Sequence, residues 1–138
     1  MIVGIVGSRR RNSKKDFGKL IIKLGQLERR TRRFIKKIVT GDCDEGGDDF
    51  AREITNIFGY ELYVKYKLDP ETGEKLTRYI DDYFEFCRVC YARNEEIAKE
   101  PLDYLIAIVT PDRTGGTENT IKHFKRHHKD WKEKLILL

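Results

Sequence analysis

A chain of 138 residues with 39% hydrophobic content suffices for one domain with one core, spanning residues 1–138, and calls for no second. No apolar run approaches the roughly 20 residues that cross a bilayer, and "MIVGIVGSRRR" puts apolar residues before basic ones, the reverse of a secretory signal, so the expectation is a cytoplasmic protein with no membrane partner. The net charge of +5 favours anionic partners without naming one, and three cysteines without an export signal argue against a disulfide framework.

Residues 2–6, "IVGIV", are short, β-branched and closed by Gly7, which predicts a strand buried on both faces. With Asn12 or Ser13 as cap, Phe17, Leu20, Ile21, Leu24 and Leu27 recur at helical spacing. Phe34 to Val39 predicts a second strand. Phe50, Ile54, Ile57 and Phe58 predict a helix that Gly59 closes. "ELYVKY" at 61–66 reads as a third strand, followed by an excursion broken at Asp69-Pro70 and Thr72-Gly73. Ile80, Phe84, Cys87, Tyr91 and Ala98 line one face of a helix that Pro101 ends, and "YLIAIV" at 104–109 is a fourth strand. Ile121, Phe124, His128 and Trp131 mark a last helix before "KLILL" as fifth strand. Strands alternating with helices predict an α/β fold, a Rossmann-like three-layer sandwich with a mostly parallel sheet of about five strands. Its strand-to-helix loops emerge together at the carboxyl edge, where ligands bind.

Four loops meet at that edge: "GSRRRNS", "TGDCDEGG", the excursion after residue 66, and "TPDRTGGT". In the first, Gly7 and Ser8 allow close backbone approach at a helix start, and Arg9 adds a planar fork suited to phosphate or carboxylate. The last repeats the arrangement, with Thr117 placed to cap a helix or contact a phosphate. The acidic loop admits three readings. Asp42, Asp44, Gly47 and Glu53 match positions 1, 3, 6 and 12 of an EF-hand, but position 5 is Gly46 and a strand precedes it. A second reading makes it a turn with Asp48 capping the next helix. In the third, Gly41, Gly46 and Gly47 open a floor for a ligand, while Asp42 or Asp48 accepts hydrogen bonds from ribose hydroxyls or orders other loops.

"GSR" after the first strand, "VTGDCDEGGDDFA" after the second, "ARN" late in a helix and "GGTEN" after "LIAIV" together resemble the SLOG superfamily, Rossmann-like proteins that join the DprA/SMF group to the LOG phosphoribohydrolases. The pattern is most similar to the small YspA-like branch, whose second motif resembles "SGGARGADxxA". The resemblance covers nearly the whole chain. It implies a nucleotide or nucleotide-derived ligand, bound for sensing or for processing, among Gly7, Ser8, Arg9, Gly41, Asp42, Gly46, Asp48, Arg93, Asn94, Gly115, Gly116 and Thr117. Arg93 matches the arginine that LOG enzymes set at the reacting sugar phosphate. In their motif "PGGxGTxxE" the glutamate position falls here on Thr120, with Glu118 out of register, which puts phosphoribohydrolase activity in doubt and leaves Arg93 and Glu118 as the catalytic candidates. The acidic "DCDEGGDD" departs from the family's "GARGAD", which points to a different ligand or to a divalent cation accompanying the nucleotide, and the resemblance implies a homodimer.

The alternative partner is nucleic acid, held by Arg29, Arg30, Arg32, Arg33, Lys36 and Lys37, a run that also suits a solvated helix end. Cys87 and Cys90 have zinc-like spacing, but no second ligand pair completes a site, and the sequence gives no metal-ligand set. Of His123, His127 and His128, only His128 falls on the apolar stripe, and the other two read as solvent-exposed.

Overall fold

The computed structural model describes all 138 residues. Five strands, β1 (Ile2–Gly7), β2 (Lys37–Thr40), β3 (Glu61–Val64), β4 (Tyr104–Ile108) and β5 (Leu135–Leu137), form one parallel sheet in the order β3-β2-β1-β4-β5. The helices are α1 (Lys14–Thr31), α2 (Gly47–Phe58), α3 (Tyr83–Lys99), α4 (Gly116–His127) and the single turn α5 (Trp131–Lys134). The architecture is α/β, a Rossmann-like three-layer sandwich.

Period-two alternation along the strands sorts the core into two halves. Val3, Ile5, Ile38, Ile106 and Ile108 face α1 and α2, where they meet Leu20, Leu24, Leu27, Phe50, Ala51 and Ile54. Val6, Val39, Leu105 and Ala107 face the other way, towards Ile97 and Ala98 of α3 and Ile121 and Phe124 of α4. Burying Leu or Ile side chains in this way stabilises by about 1.5–3 kcal/mol each. The central β1 is covered on both faces, which is why it reads as a continuous apolar run. Ser13 starts α1, accepting a hydrogen bond from the Asp16 backbone N–H, and α1 ends on Arg32 in the left-handed conformation (φ 54°).

Several sequence expectations shift. The second strand is Lys37–Thr40 rather than 34–39, because Phe34 lies outside the sheet and is 87% exposed. The third strand stops at Val64. The expected apolar stripe of α3 is displaced. Ile80 precedes the helix, Phe84 is 76% exposed and Tyr91 is exposed, while Val89, Asn94, Ile97 and Ala98 are the buried residues. Aromatic content misled the reading here, since a ring can line a cleft as readily as a core. The last helix breaks at His128, whose Nε2 meets the Ala98 carbonyl at 2.7 Å and whose ring stacks on Phe124. His123 is not solvent-exposed: it turns towards α3 with its side chain only 13% accessible.

Candidate functional site

β1 lies between β2 and β4, and the chain runs outward from it in both directions, so the crevice beyond its carboxyl end is the topological switch point. A cavity of about 490 Å³ opens there, lined by Val6, Gly7, Ser8, Arg9, Cys43, Asp48, Lys67, Arg93, Asn94, Gly115, Gly116, Thr117 and Thr120, with Tyr83, Phe86, Cys87, Cys90, Tyr91 and Ile97 along α3. That volume is within the roughly 300–1,000 Å³ of small-molecule sites.

The first loop supplies one free cation out of three. Arg10 is consumed in binding the "TPDRT" loop, with paired bonds of 2.9 and 2.8 Å to Asp112 and further bonds to Thr110 and Thr114. Arg11 is spent on Asp16 and on the Val109 and Leu138 carbonyls. Arg9 donates only through Nε, to Cys43 Sγ at 3.0 Å, and pairs with no carboxylate. Its two terminal NH₂ groups stay available at the cavity.

The glycines divide by role. Gly46 takes φ +73°, and a Cβ there would lie 2.5 Å from the Ser8 carbonyl oxygen; one on Gly47 would lie 2.4 Å from the Gly7 nitrogen. These two let the start of α2 press directly on the end of β1, so they serve packing and not a ligand floor. Gly41 makes room for Asp48 and Arg93, whose atoms a Cβ would approach to 2.5 and 2.9 Å. Gly115 has φ +104°, a conformation that disfavours a side chain, whereas a Cβ on Gly116 would meet nothing closer than 3.9 Å. α4 has no side-chain cap, so the first backbone N–H groups of the helix have no side-chain acceptor, and two of the residues that carry them, Gly116 and Thr117, line the cavity.

Asp48 does not cap α2; the cap position is Gly46, whose N–H donates to Asn12 instead. Asp48 points inward. Its Oδ2 accepts from the Cys43 N–H at 3.1 Å and lies 3.8 Å from Arg93, and its Oδ1 is 3.1 Å from Thr40 Oγ1. Burial pushes its pKa up, and the Asp42 charge adds to this, against the pull of Arg93 and of the hydrogen bonds from Cys43 and Thr40. Thr40 has one hydroxyl hydrogen, and its shorter bond, 2.7 Å, goes to the Ile5 carbonyl. That single hydrogen is therefore shared between the Ile5 carbonyl and Asp48 Oδ1, and Asp48 is raised by burial with only a divided donor from Thr40 to offset it.

Asp42 behaves oppositely. Burial pushes its carboxyl up, but the Lys67 ammonium and backbone N–H, with the charges of Arg93 and Lys67, outweigh this and hold it below the ordinary range. Its Oδ1 accepts from both the Lys67 ammonium and the Arg93 guanidinium, and its Oδ2 from the Lys67 backbone N–H. With β2 and not a helix leading into the loop, the EF-hand reading does not fit. Lys67 comes from the excursion, which is folded by a bridge between Leu68 and Lys75 and by the Arg78 fork on Asp69. Nothing in the sequence pattern marks Lys67, nor Tyr83 and Phe86, as cavity residues.

Arg93 is 13% exposed and enclosed by Asp42 and Asp48. Asn94 is buried; its amide donates to the Gly116 carbonyl and to Asn119, both at 3.2 Å, and its oxygen accepts from Arg93 Nε. Glu118 turns away from the cavity and forms a paired bridge with Arg113, at 2.8 Å for each bond, so it faces no reacting group there. Thr120 lines the cavity and is buried. The basic run lies at the opposite, amino edge of the sheet, where Arg33 bridges to Asp103 and Arg30 and Lys37 lie over Tyr104 and Tyr63. No helix is long and apolar enough to cross a membrane.

No family model, no curated protein and no solved structure matches the chain.

Proposed function

We propose that the chain binds a nucleotide or nucleotide-derived ligand in the cavity at the carboxyl edge of the sheet. One observation carries this reading. The uncapped start of α4 and the unpaired fork of Arg9 face the same cavity, across from the aromatic side chains of α3. Free amides at a helix start and an arginine without a carboxylate suit a phosphate. Tyr83, Phe86 and Tyr91 offer a base or another flat ring surfaces to stack on. Arg9, Lys67 and Arg93 against Asp48 leave the lining net positive, which favours an anion over a neutral ligand.

The resemblance to the SLOG superfamily, a cytoplasmic location and a homodimer belong to this proposal as well. Binding is better supported than catalysis. Glu118 is committed to Arg113, and Thr120 supplies no carboxylate where phosphoribohydrolases have one, so a sensor is the preferred form. The alternative is nucleic-acid binding on the opposite edge, where Phe34 stands exposed within the basic run. Thermal-shift titration with AMP, ADP and ADP-ribose tests the reading: a rise in Tm with at least one supports it. Stabilisation only by oligonucleotides, with steep salt dependence, would overturn it in favour of the basic edge.

A further inference from the structure

About two turns beyond the cavity, α4 presents a second group of side chains to α3. His123 and His127 stand one helical turn apart on α4, and Glu95 faces both from α3. Glu95 Oε2 is 3.0 Å from His123 Nδ1, and Oε1 is 3.9 Å from His127 Nε2. One ligand atom from each residue lies within 4.8 Å of the other two. The His123 Nδ1 is buried and has no hydrogen-bond partner, since its close approach to Glu95 is not aligned for one. Burying a polar nitrogen without a partner costs free energy that a bound ligand would recover.

A tetrahedral ion with bonds of about 2.0–2.2 Å holds neighbouring ligand atoms roughly 3.3–3.6 Å apart. Glu95 Oε2 lies closer than that to His123 and Oε1 farther from His127, so side-chain rotations must bring one ligand atom of each residue to this spacing from within 4.8 Å. We propose that Glu95, His123 and His127 form a binding site for a divalent transition-metal ion of the zinc class, clamping α3 to α4. Two imidazoles and one carboxylate suit zinc and its neighbours, whereas magnesium and calcium prefer oxygen ligands throughout. His127 is exposed, which leaves the fourth position open to water. Lys99 contacts Glu95 Oε1 at 3.4 Å and must give way, but it keeps an equal contact with Glu96. The site stands independently of the nucleotide reading, because none of its three residues lines the cavity.

The test uses the full chain, untagged, with Zn²⁺ alone and Co²⁺ alone as probes. Calorimetry should find one Zn²⁺ per chain, and Co²⁺ should give the intense visible d–d bands of a four- or five-coordinate site. His127→Ala changes an exposed side chain and should fold as the parent does, yet weaken binding by more than the roughly 10–100-fold that loss of an outer-shell partner costs. Glu95→Gln should weaken it similarly. Cys87 and Cys90 are the competing ligands, so the double variant Cys87→Ser, Cys90→Ser should bind as the parent does. No binding by the parent, unchanged binding by His127→Ala, or loss of binding in the cysteine variant would each overturn the proposal.

Discussion

Arg93, on α3, is bound to Asp42 of the loop after β2, so that one guanidinium fastens the acidic loop to the helix across the cavity. Asp48 lies behind it at 3.8 Å. Arg93→Ala removes the cation from two carboxylates, of which Asp42 keeps Lys67. The expected cost is about 1–3 kcal/mol, less than for breaking a fully isolated buried pair. Urea denaturation measures it, and a variant as stable as the parent would show that the contact carries no stability.

Arg9 should behave in the opposite way. Its terminal nitrogens have no protein partner, so Arg9→Ala should leave stability within about 0.5 kcal/mol. If a phosphate takes those nitrogens, affinity for the stabilising nucleotide falls by about 1.5–3 kcal/mol, roughly ten- to a hundred-fold. Calorimetry on parent and variant decides, and equal affinities would remove Arg9 from the site.

Gly116 has room for a side chain, as its nearest prospective contact is Asn94 Nδ2 at 3.9 Å. Gly116→Val should therefore fold and melt close to the parent, while blocking the approach of an anion to the start of α4. Retained nucleotide affinity in the folded variant would place the ligand elsewhere. Gly47→Ala provides the contrast: its Cβ would sit 2.4 Å from backbone, and the fold itself should suffer.

The upward pKa shift of buried Asp48 gives a pH signature. Its folded pKa is raised above 3.8, so its contribution to stability is fully present below the unfolded value and is lost as pH rises through the folded one. Asn at this position keeps an acceptor for Cys43 and a donor for Thr40. Asp48→Asn should thus lose less stability than the parent as pH rises above about 3.8. Parallel Tm–pH curves for the two proteins would refute the upward shift. Asp42, with its lowered pKa, has the reverse sign and destabilises only as pH falls below the ordinary carboxylate range.

The layers of the fold were legible because β1 and β4 are continuous apolar runs and α1 has a regular stripe with a serine cap. The loop positions of Gly7, Arg9 and Gly116 followed from that alternation alone. The division of labour within each loop did not. "SRRR" looks like three equal cations, and only tertiary contacts spend Arg10 and Arg11 while leaving Arg9 free. Asp48 and Asp42 are likewise indistinguishable in an acidic string, although one is buried beside Thr40 and the other bonded to Lys67 from 25 residues away. The facing of His123 and Glu95 depends on the packing of α3 on α4, which no local period encodes.

The strand order carries a consequence for synthesis. By the time β3 has emerged, β1 to β3 can pair and close one face of the sheet with α1 and α2. Val6 and Val39 on the other face must wait for α3 and α4. At a ribosomal pace of about 5–20 residues per second, the roughly 60 residues still to come keep that face uncovered for about 3–12 s. During that interval the nascent half-sheet offers β1 as an unpaired edge beside open apolar surface, the place reserved for β4 and the point at which a chaperone would find its grip.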